Sequence, residues 1–217
     1  MRDDAWRVTA SSYAIDTRFL RLRKDSIELP DGTLIEDYYV RESRGFAIVF
    51  AMTPDERVVL VRQYKHGIGR VLLELPAGSI DPGEDALDAA TRELAEETGY
   101  EAASVEYVRG FVADPTNSNT IAHLFLARGA RRTLDQNLDV TEAIDVELAS
   151  FDELRAMVRD GTIDCMPHVA SIYAVLDLID RQQVAGGAAT CCRPSETGSS
   201  TDRADACWDG PPAAERS

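Results

Sequence analysis

The acidic residues between positions 84 and 99 are the part of this chain whose types and spacing suggest chemistry. Glu93, Glu96 and Glu97 follow closely on one another, and Glu93 and Glu97 are spaced as neighbours on one helix face. Like charges at this spacing destabilise a helix by about 0.2–0.5 kcal/mol. A hard divalent cation offsets the repulsion, because Mg²⁺ prefers carboxylate oxygens and bridges to phosphate. The cluster therefore indicates either a metal site for phosphate chemistry or a solvated acidic face.

The signals around this cluster predict the helix that carries it. Asp81 is a capping residue, Pro82 suits a first turn, and Glu84 follows Asp81 at the spacing of a capping box. Gly99 is the residue type that ends helices in a left-handed conformation. Between these signals an apolar stripe for packing against a sheet is formed by Leu87, Ala90 and Leu94.

The rest of the chain alternates extended runs with helical patterns. Residues 17–23 and 33–40 flank the turn sequence LPDGT and predict an N-terminal β-hairpin. Two runs rich in Val and Ile, 46–52 and 57–64, are split by a turn and predict a central antiparallel pair. Further strands are predicted at 71–75, 104–112, 120–128 and 145–149, and helices begin at Ser150, which with Glu153 forms a capping box, and at Pro167, ending near Gln183. The pattern predicts an α/β (α+β) fold with a mixed central sheet between helices.

The spacing of the acids and glycines also matches a family signature. The fixed residues are Gly78, Glu84, Arg92-Glu93-Leu94, Glu96-Glu97 and Gly99-Tyr100. This series resembles the signature of the Nudix hydrolases, Gly-x5-Glu-x7-Arg-Glu-U-x-Glu-Glu-x-Gly-U, where U is a bulky apolar residue. The resemblance implies a Nudix fold and metal-dependent hydrolysis of a diphosphate link, in which a metal-activated water attacks one phosphorus.

The resemblance also implies individual roles. Glu93, Glu96 and Glu97 would be metal ligands together with the backbone carbonyl of Ala77, and the metal would be Mg²⁺, with Mn²⁺ as a substitute. Glu97 and Glu96 are at the same time candidate catalytic residues. The residues expected to be structural, holding the loop on the helix, are Gly78, Glu84, Arg92 and Gly99.

A wider resemblance covers residues 15 to 183 and is to the ADP-ribose pyrophosphatase branch of the family. It is carried by the N-terminal hairpin, VLVRQYKHG (59–67), ELPAGSID (74–81) and Pro115. It implies ADP-ribose or a related nucleotide sugar as substrate, a nucleoside monophosphate and a phosphorylated sugar as products, and a homodimer built with the hairpin. The implied substrate-binding residues are Arg62, Gln63, Tyr64 and Pro115.

The loop at residues 139–144 differs from that branch. The branch tends to have Asp-Glu-x-Glu-x-Ile there, with a glutamate as the base, whereas Val140 occupies the first glutamate position in this chain. Glu142 remains as a further metal ligand or a substitute base. Without a base in this loop, Glu96 is the better candidate to activate water.

Composition limits the possible partners and locations. The net charge of −15 argues against a sequence-independent grip on nucleic acid, which also disfavours an mRNA-decapping or oligonucleotide enzyme. No stretch is apolar enough to span a bilayer and the start is not that of a signal peptide, so a cytoplasmic location is expected. We expect a hairpin region at 1–44, a hydrolase domain at 45–183 and a disordered tail at 184–217. The cysteines, expected to be free thiols, are Cys165, Cys191, Cys192 and Cys207.

Two alternatives stay open at this stage. The chain is either a Nudix hydrolase for another substrate, such as GDP-mannose, NADH or a dinucleoside polyphosphate, or a non-catalytic sensor that binds a nucleotide sugar. The complete set of glutamates disfavours the sensor, because a protein that only binds has no need of every acid.

Overall fold

A three-stranded antiparallel sheet forms the N-terminal part of the computed structural model, which describes residues 5–190. Its strands are β1 (Arg7–Asp16), β2 (Arg21–Glu28) and β3 (Leu34–Glu42), in the order β1-β2-β3. Strands β2 and β3 are the predicted hairpin, with Gly32 at a φ of 84° in the turn. Strand β1 was not predicted, because its Ser, Thr and Ala residues give no clear apolar alternation. All ten of its residues are exposed.

The central sheet is mixed and has seven strands. Its strands are β4 (Phe46–Met52), β5 (Val58–Lys65), β6 (Arg70–Glu74), β7 (Ala77–Ser79), β9 (Ser104–Val112), β10 (Ile121–Arg128) and β12 (Ile144–Ala149). The order is β12-β5-β4-β10-β9, with β6 paired to β5 and β7 to β4. Strand β10 runs parallel to β4, and the other pairs are antiparallel. Two short strands, β8 (Tyr100–Glu101) and β11 (Arg131–Arg132), pair separately.

The predicted antiparallel pair of β4 and β5 is present only at its turn end. The two strands pair at Met52 and Val58. Further along, β7 pairs with residues 46–48 of β4, and the Val49 N–H donates to the Pro76 carbonyl at 2.9 Å. The backbone of residues 76–79 therefore takes the hydrogen-bonding edge of β4 that the sequence assigned to β5. This insertion carries Ala77 and Gly78 into the sheet.

Helices cover both faces of the central sheet, which confirms the predicted layered fold. The helices are α1 (Ala86–Thr98), α2 (Phe151–Arg159) and α3 (Met166–Thr190). Strand β4 alternates its side chains between two buried clusters, as the two-residue period of a strand requires. Ile48 and Phe50 pack with residues of α2 and α3, whereas Val49 packs with Ala90 and Leu94 of α1.

The C-terminal helices begin where the sequence predicted. The Ser150 side chain accepts from the Glu153 backbone and the Glu153 side chain accepts from the Ser150 backbone, which forms the capping box of α2. Pro167 lies in the first turn of α3, and this helix continues past the predicted end to Thr190. Cys165 is a free thiol. Cys191, Cys192, Cys207 and most of the predicted tail lie outside the described residues. Among residues 5–190, no helix is long and apolar enough to cross a membrane.

Candidate active site

Helix α1 carries the predicted acids, but it begins one turn later than the sequence predicted. Its N-cap is Asp85, whose side chain accepts from the Leu87 N–H, because the φ of 82° at Gly83 is incompatible with a helix beginning at Asp81. Glu84 still accepts from the Asp81 N–H at 2.8 Å, but in the turn before the helix. Gly99 ends the helix in the predicted left-handed conformation.

The buried face of α1 differs from the predicted stripe. Leu87 is 40% exposed, since it lies in the first helical turn, and the buried residues are Ala89, Ala90, Leu94, Glu97 and Thr98. Glu97 therefore lies on the face that packs against the sheet.

Glu97 is a buried carboxylate that accepts one hydrogen bond among the described contacts. It is 3% exposed, and its Oε2 accepts from the Ala77 N–H at 2.9 Å. Burial raises the pKa of Glu97 to about 8; the Ala77 N–H opposes this rise, and the nearby Glu93 and Glu142 add to it. The group is costly to ionise unless a cation approaches.

Glu93 lies against the backbone of Gly78, which explains why that position has no side chain. A Cβ added at Gly78 would come within 2.0–2.2 Å of the three carboxyl atoms of Glu93. Burial is the main cause that raises the pKa of Glu93, and Arg92 opposes it. Gly78 thus permits a close approach of the β7 backbone to a helix carboxylate.

Arg92 joins the loop to the helix. Its guanidinium donates to both carboxylate oxygens of Glu84, at 2.7 and 2.9 Å, and to the Ser79 carbonyl at 3.0 Å. This bidentate pair lowers the pKa of Glu84 to about 2. Arg92 also donates to Glu93 at 2.8 Å and to Glu96 at 3.0 Å, contacts that the sequence did not predict. The structural roles of Glu84 and Arg92 stay predictions, and these bonds are the contacts that such roles require.

The loop with Glu142 is anchored on the C-terminal end of α1. The Asn137 N–H donates to the Glu96 carbonyl at 2.9 Å, and the Gln136 side chain donates to the Glu97 carbonyl at 2.6 Å. Carbonyls in the last turn of a helix lack partners within it, so this segment satisfies them. The segment brings Glu142 close enough to raise the pKa of both Glu93 and Glu97. The Val140 side chain is fully exposed.

A cavity of about 890 Å³ opens beside Ala77, Gly78 and Glu97. This volume is within the usual range for small-molecule sites. Loop 17–20 of the N-terminal sheet also lines it. Its cationic side chains are Arg18, Arg21, Arg41, Arg44 and Lys65.

The predicted substrate-binding residues do not line this cavity, and their role stays a prediction. Arg62 pairs with Glu147, Gln63 is buried, Tyr64 is half exposed, and Pro115 lies in an exposed turn. The next residue in the chain, Lys65, does line the cavity and lowers the pKa of Glu97. Strand periodicity is the signal that could have found it, because Val61 and Lys65 share a face of β5 opposite to Arg62 and Tyr64.

The residues present fit a hard divalent cation. Glu93 and Glu97 are poorly solvated carboxylates on one helix, and Gly78 lets the Glu93 carboxylate lie directly against the β7 backbone beside Ala77. Oxygen donors of this kind are those that Mg²⁺ and similar ions prefer. A divalent cation also removes the cost of ionising buried Glu97 beside the partly buried Glu93.

Comparison with known proteins agrees with this geometry. Residues 42–169 match the NUDIX domain, and residues 6–40 match the nucleoside diphosphate sugar hydrolase N-terminal domain. The chain is 33% identical over 147 residues to the methanol dehydrogenase activator of Bacillus methanolicus, covering 67% of this chain and 79% of that protein. It is 29% identical over 178 residues to the ADP-ribose pyrophosphatase of Bacillus subtilis (strain 168), covering 82% and 85%.

A solved structure shares the fold. The crystal structure of an ADP compounds hydrolase superimposes with a TM-score of 0.72 at 19% identity, covering 82% of this chain and 95% of that one. The NUDIX match spans more than half of the chain and includes helix α1 with all of its acids. The chain therefore belongs to the NUDIX domain family.

Proposed function

We propose that this protein hydrolyses the diphosphate bond of a nucleoside diphosphate sugar, ADP-ribose or a close relative, to a nucleoside monophosphate and a phosphorylated sugar. The observation that carries the proposal is the cavity at Glu97, which has buried carboxylates on one side and the side chains of Arg18, Arg41, Arg44 and Lys65 around it. The match of residues 6–40 to a domain named for nucleoside diphosphate sugar hydrolases supports this substrate class, as does the name of the Bacillus subtilis relative.

The proposed cofactor is Mg²⁺, with Mn²⁺ as a substitute. Glu93, Glu96, Glu97 and the Ala77 carbonyl would hold it, and Glu142 is a further ligand within reach. A bound divalent cation lowers the pKa of a coordinated water and offsets charge on phosphate oxygens. The Arg and Lys side chains that line the cavity bind the diphosphate, and burial keeps bulk water away from the Glu97 carboxylate.

Glu142 is favoured over Glu96 as the group that accepts the proton of the attacking water. Arg92 donates to Glu96 at 3.0 Å, so the Glu96 carboxylate is already held in an ion pair. Glu142 lies in a loop outside regular structure, and its carboxylate accepts only a local bond from the Asp139 N–H, at 3.0 Å, among the described contacts. A loop carboxylate of this kind can move to meet a bound substrate.

The proposal includes a homodimer and a cytoplasmic location. Strand β1 is exposed along its whole length, and apolar side chains are exposed on and beside it at Trp6, Val8, Tyr13 and Ile15. An exposed apolar surface on a sheet is typical of a contact with another chain. Light scattering on the purified protein measures the oligomeric state, and a monomer at micromolar concentration would contradict this part.

A screen of nucleotides with mass-resolved products tests the activity. ADP-ribose, GDP-mannose, UDP-glucose, NADH and dinucleoside polyphosphates are incubated with the protein and Mg²⁺. We expect Mg²⁺-dependent release of a nucleoside monophosphate, and Glu97→Gln to lower turnover by orders of magnitude. Asp88→Asn is the matched control, because Asp88 is exposed in the first turn of the same helix and does not line the cavity.

The outcome separates the hydrolase from a non-catalytic sensor. A sensor binds one of these nucleotides without releasing any monophosphate, and its binding survives Glu97→Gln. Absence of turnover across the panel, with a nucleotide still bound in calorimetry, would refute the hydrolase. An unfolded Glu97→Gln variant would instead show that Glu97 is needed for the fold.

A further inference from the structure

A second group of metal-ligating side chains lies beside the cavity, away from the acids of α1. Glu74 is at the end of β6, and Cys165 and His168 are at the start of α3. One ligand atom of each residue lies within 4.8 Å of those of the other two. Glu74 and His168 are 4% and 5% exposed, and both line the cavity. The three residues offer three different donor atoms: a carboxylate oxygen from Glu74, a sulfur from Cys165 and an imidazole nitrogen from His168.

The spacing of two of these donors suits a tetrahedral ion, and the Cys165 sulfur lies within 4.8 Å of both. The His168 Nε2 and a Glu74 oxygen are 3.3 Å apart. Two nitrogen or oxygen ligands at about 2.0–2.1 Å from a tetrahedral Zn²⁺ are separated by about 3.4 Å. Burial lowers the pKa of His168 to about 4, so its imidazole is neutral near pH 7, as a ligand must be.

We propose that Glu74, Cys165 and His168 form a binding site for a zinc-class divalent cation, distinct from the hard-cation site of α1. Sulfur and imidazole donors select borderline-soft ions such as Zn²⁺, whereas the all-oxygen set at Glu93 and Glu97 suits Mg²⁺. Because Glu74 and His168 line the cavity, an ion held by them would be reached by a water molecule from that side. The two sites therefore differ in donor chemistry as well as in place.

Binding of the ion requires one proton to leave Cys165 and another to move within the imidazole of His168. The thiol proton of Cys165 leaves to solvent, and the sulfur binds as the thiolate. The Leu75 N–H donates to the His168 Nδ1 at 3.2 Å, so the imidazole proton is on Nε2, toward Glu74. Binding through Nε2 moves this proton to Nδ1 and breaks the bond from Leu75. The Leu75 N–H and the His168 Nδ1–H then face each other without an acceptor, and the three metal–ligand bonds offset the cost of these two unpaired donors.

Occupation of this site has a consequence for the cavity wall. The Lys65 ammonium lies 3.5 Å from the other carboxylate oxygen of Glu74. An ion bound to Glu74 neutralises part of the carboxylate charge that pairs with Lys65, and it adds positive charge beside the Lys65 ammonium. Zinc is therefore expected to change the electrostatic potential around Lys65.

Cobalt spectroscopy on the full chain tests the proposal. Cys191, Cys192 and Cys207 are first replaced by serine, so that Cys165 is the remaining thiol, and excess Mg²⁺ fills the hard-cation site. Titration with Co²⁺ should give a thiolate-to-cobalt charge-transfer band that saturates at one equivalent. Cys165→Ser should abolish the band, His168→Gln should weaken cobalt binding more than tenfold, and Glu97→Gln should leave the band unchanged.

Two outcomes would overturn the site. Absence of a charge-transfer band in the parent protein would refute the zinc site, whatever the variants do. It would show that Glu74, Cys165 and His168 form only a hydrogen-bonded cluster. Loss of the band in Glu97→Gln would mean that the ion is held by the acids of α1. X-ray absorption of the zinc-loaded parent gives a second measurement, since the proposal requires one sulfur ligand and a zinc ion with only nitrogen and oxygen neighbours refutes it.

Discussion

Removal of divalent cations should make the stability of this protein fall as pH rises through neutrality. The cause is Glu97, whose pKa is raised from 4.5 to about 8 in the folded chain by burial. Between these two values the folded protein holds a proton that the unfolded chain has released. The free energy of unfolding therefore decreases as pH increases, and the full stabilisation is present only below about pH 4.5.

The size of the effect follows from the shift. At about 1.4 kcal/mol per pH unit, the whole shift corresponds to about 5 kcal/mol. His168 opposes it at low pH, because its pKa falls from 6.5 to about 4 and the unfolded chain takes up a proton below pH 6.5. The clean window is therefore pH 6.5 to 8, in which the decrease should be about 1.5–2 kcal/mol. Glu93, whose pKa is also raised by burial, acts in the same direction.

Urea unfolding in EDTA at several pH values across this window measures the decrease. Saturating Mg²⁺ should remove it, because the ionised carboxylate becomes a ligand, and Glu97→Gln should flatten it without metal. A metal-free wild-type protein whose unfolding free energy is constant from pH 6.5 to 8 would refute the reasoning. A slope that persists in Glu97→Gln would assign the effect to another group.

Three substitutions test the supports of the site. Gly78→Ala places a methyl group on the Glu93 carboxylate, so we expect kcat/KM to fall by about 100-fold, whereas Gly67→Ala, with no atom within 4 Å of the added carbon, should be silent in the same steady-state assay. Gly99→Ala places a methyl group 2.3 Å from the Leu134 carbonyl oxygen. It should reduce the unfolding free energy in urea by at least about 1 kcal/mol more than the control Gly161→Ala, because Gly161 has a similar φ but open space around it. Equal losses in the two variants would show that only the backbone conformation matters. Arg92→Lys keeps the charge but loses the two-oxygen contact with Glu84, and calorimetry should show a melting temperature lower by about 2–4 °C, while an unchanged value would mean that the contact adds no stability.

The positive charge around the cavity contrasts with the acidity of the whole chain. The net charge of −15 repels a free polyanion, yet five Arg and Lys side chains line the cavity. Four of them come from the N-terminal sheet or the segment that follows it: Arg18, Arg21, Arg41 and Arg44. The N-terminal sheet thus contributes to the candidate site as well as offering an exposed surface for a partner.

Patterns over a few neighbouring residues in the sequence predicted most of the strands and helices, and they drew attention to the acids of α1. Strand β4 and the capping box of α2 were predicted because apolar runs, turn residues and capping pairs act over a few positions. The start of α1 was missed by a turn, since Asp81 and Asp85 are both good caps and only the backbone at Gly83 chooses between them. Strand β1 was missed because a strand that buries none of its residues leaves no hydrophobic period.

The sequence by itself determined the family signature, the helix with its acids and the glycine that ends it, because these depend on neighbours along one chain. The tertiary structure alone decided which acid is buried, that Gly78 makes room for Glu93, that Lys65 lines the cavity, and that Glu74 meets Cys165 and His168. Burial and contact between distant segments set these features, and neither is recorded in the spacing of residues. The same reason explains why the pKa of Glu97 differs from that of Glu84 although both belong to one motif.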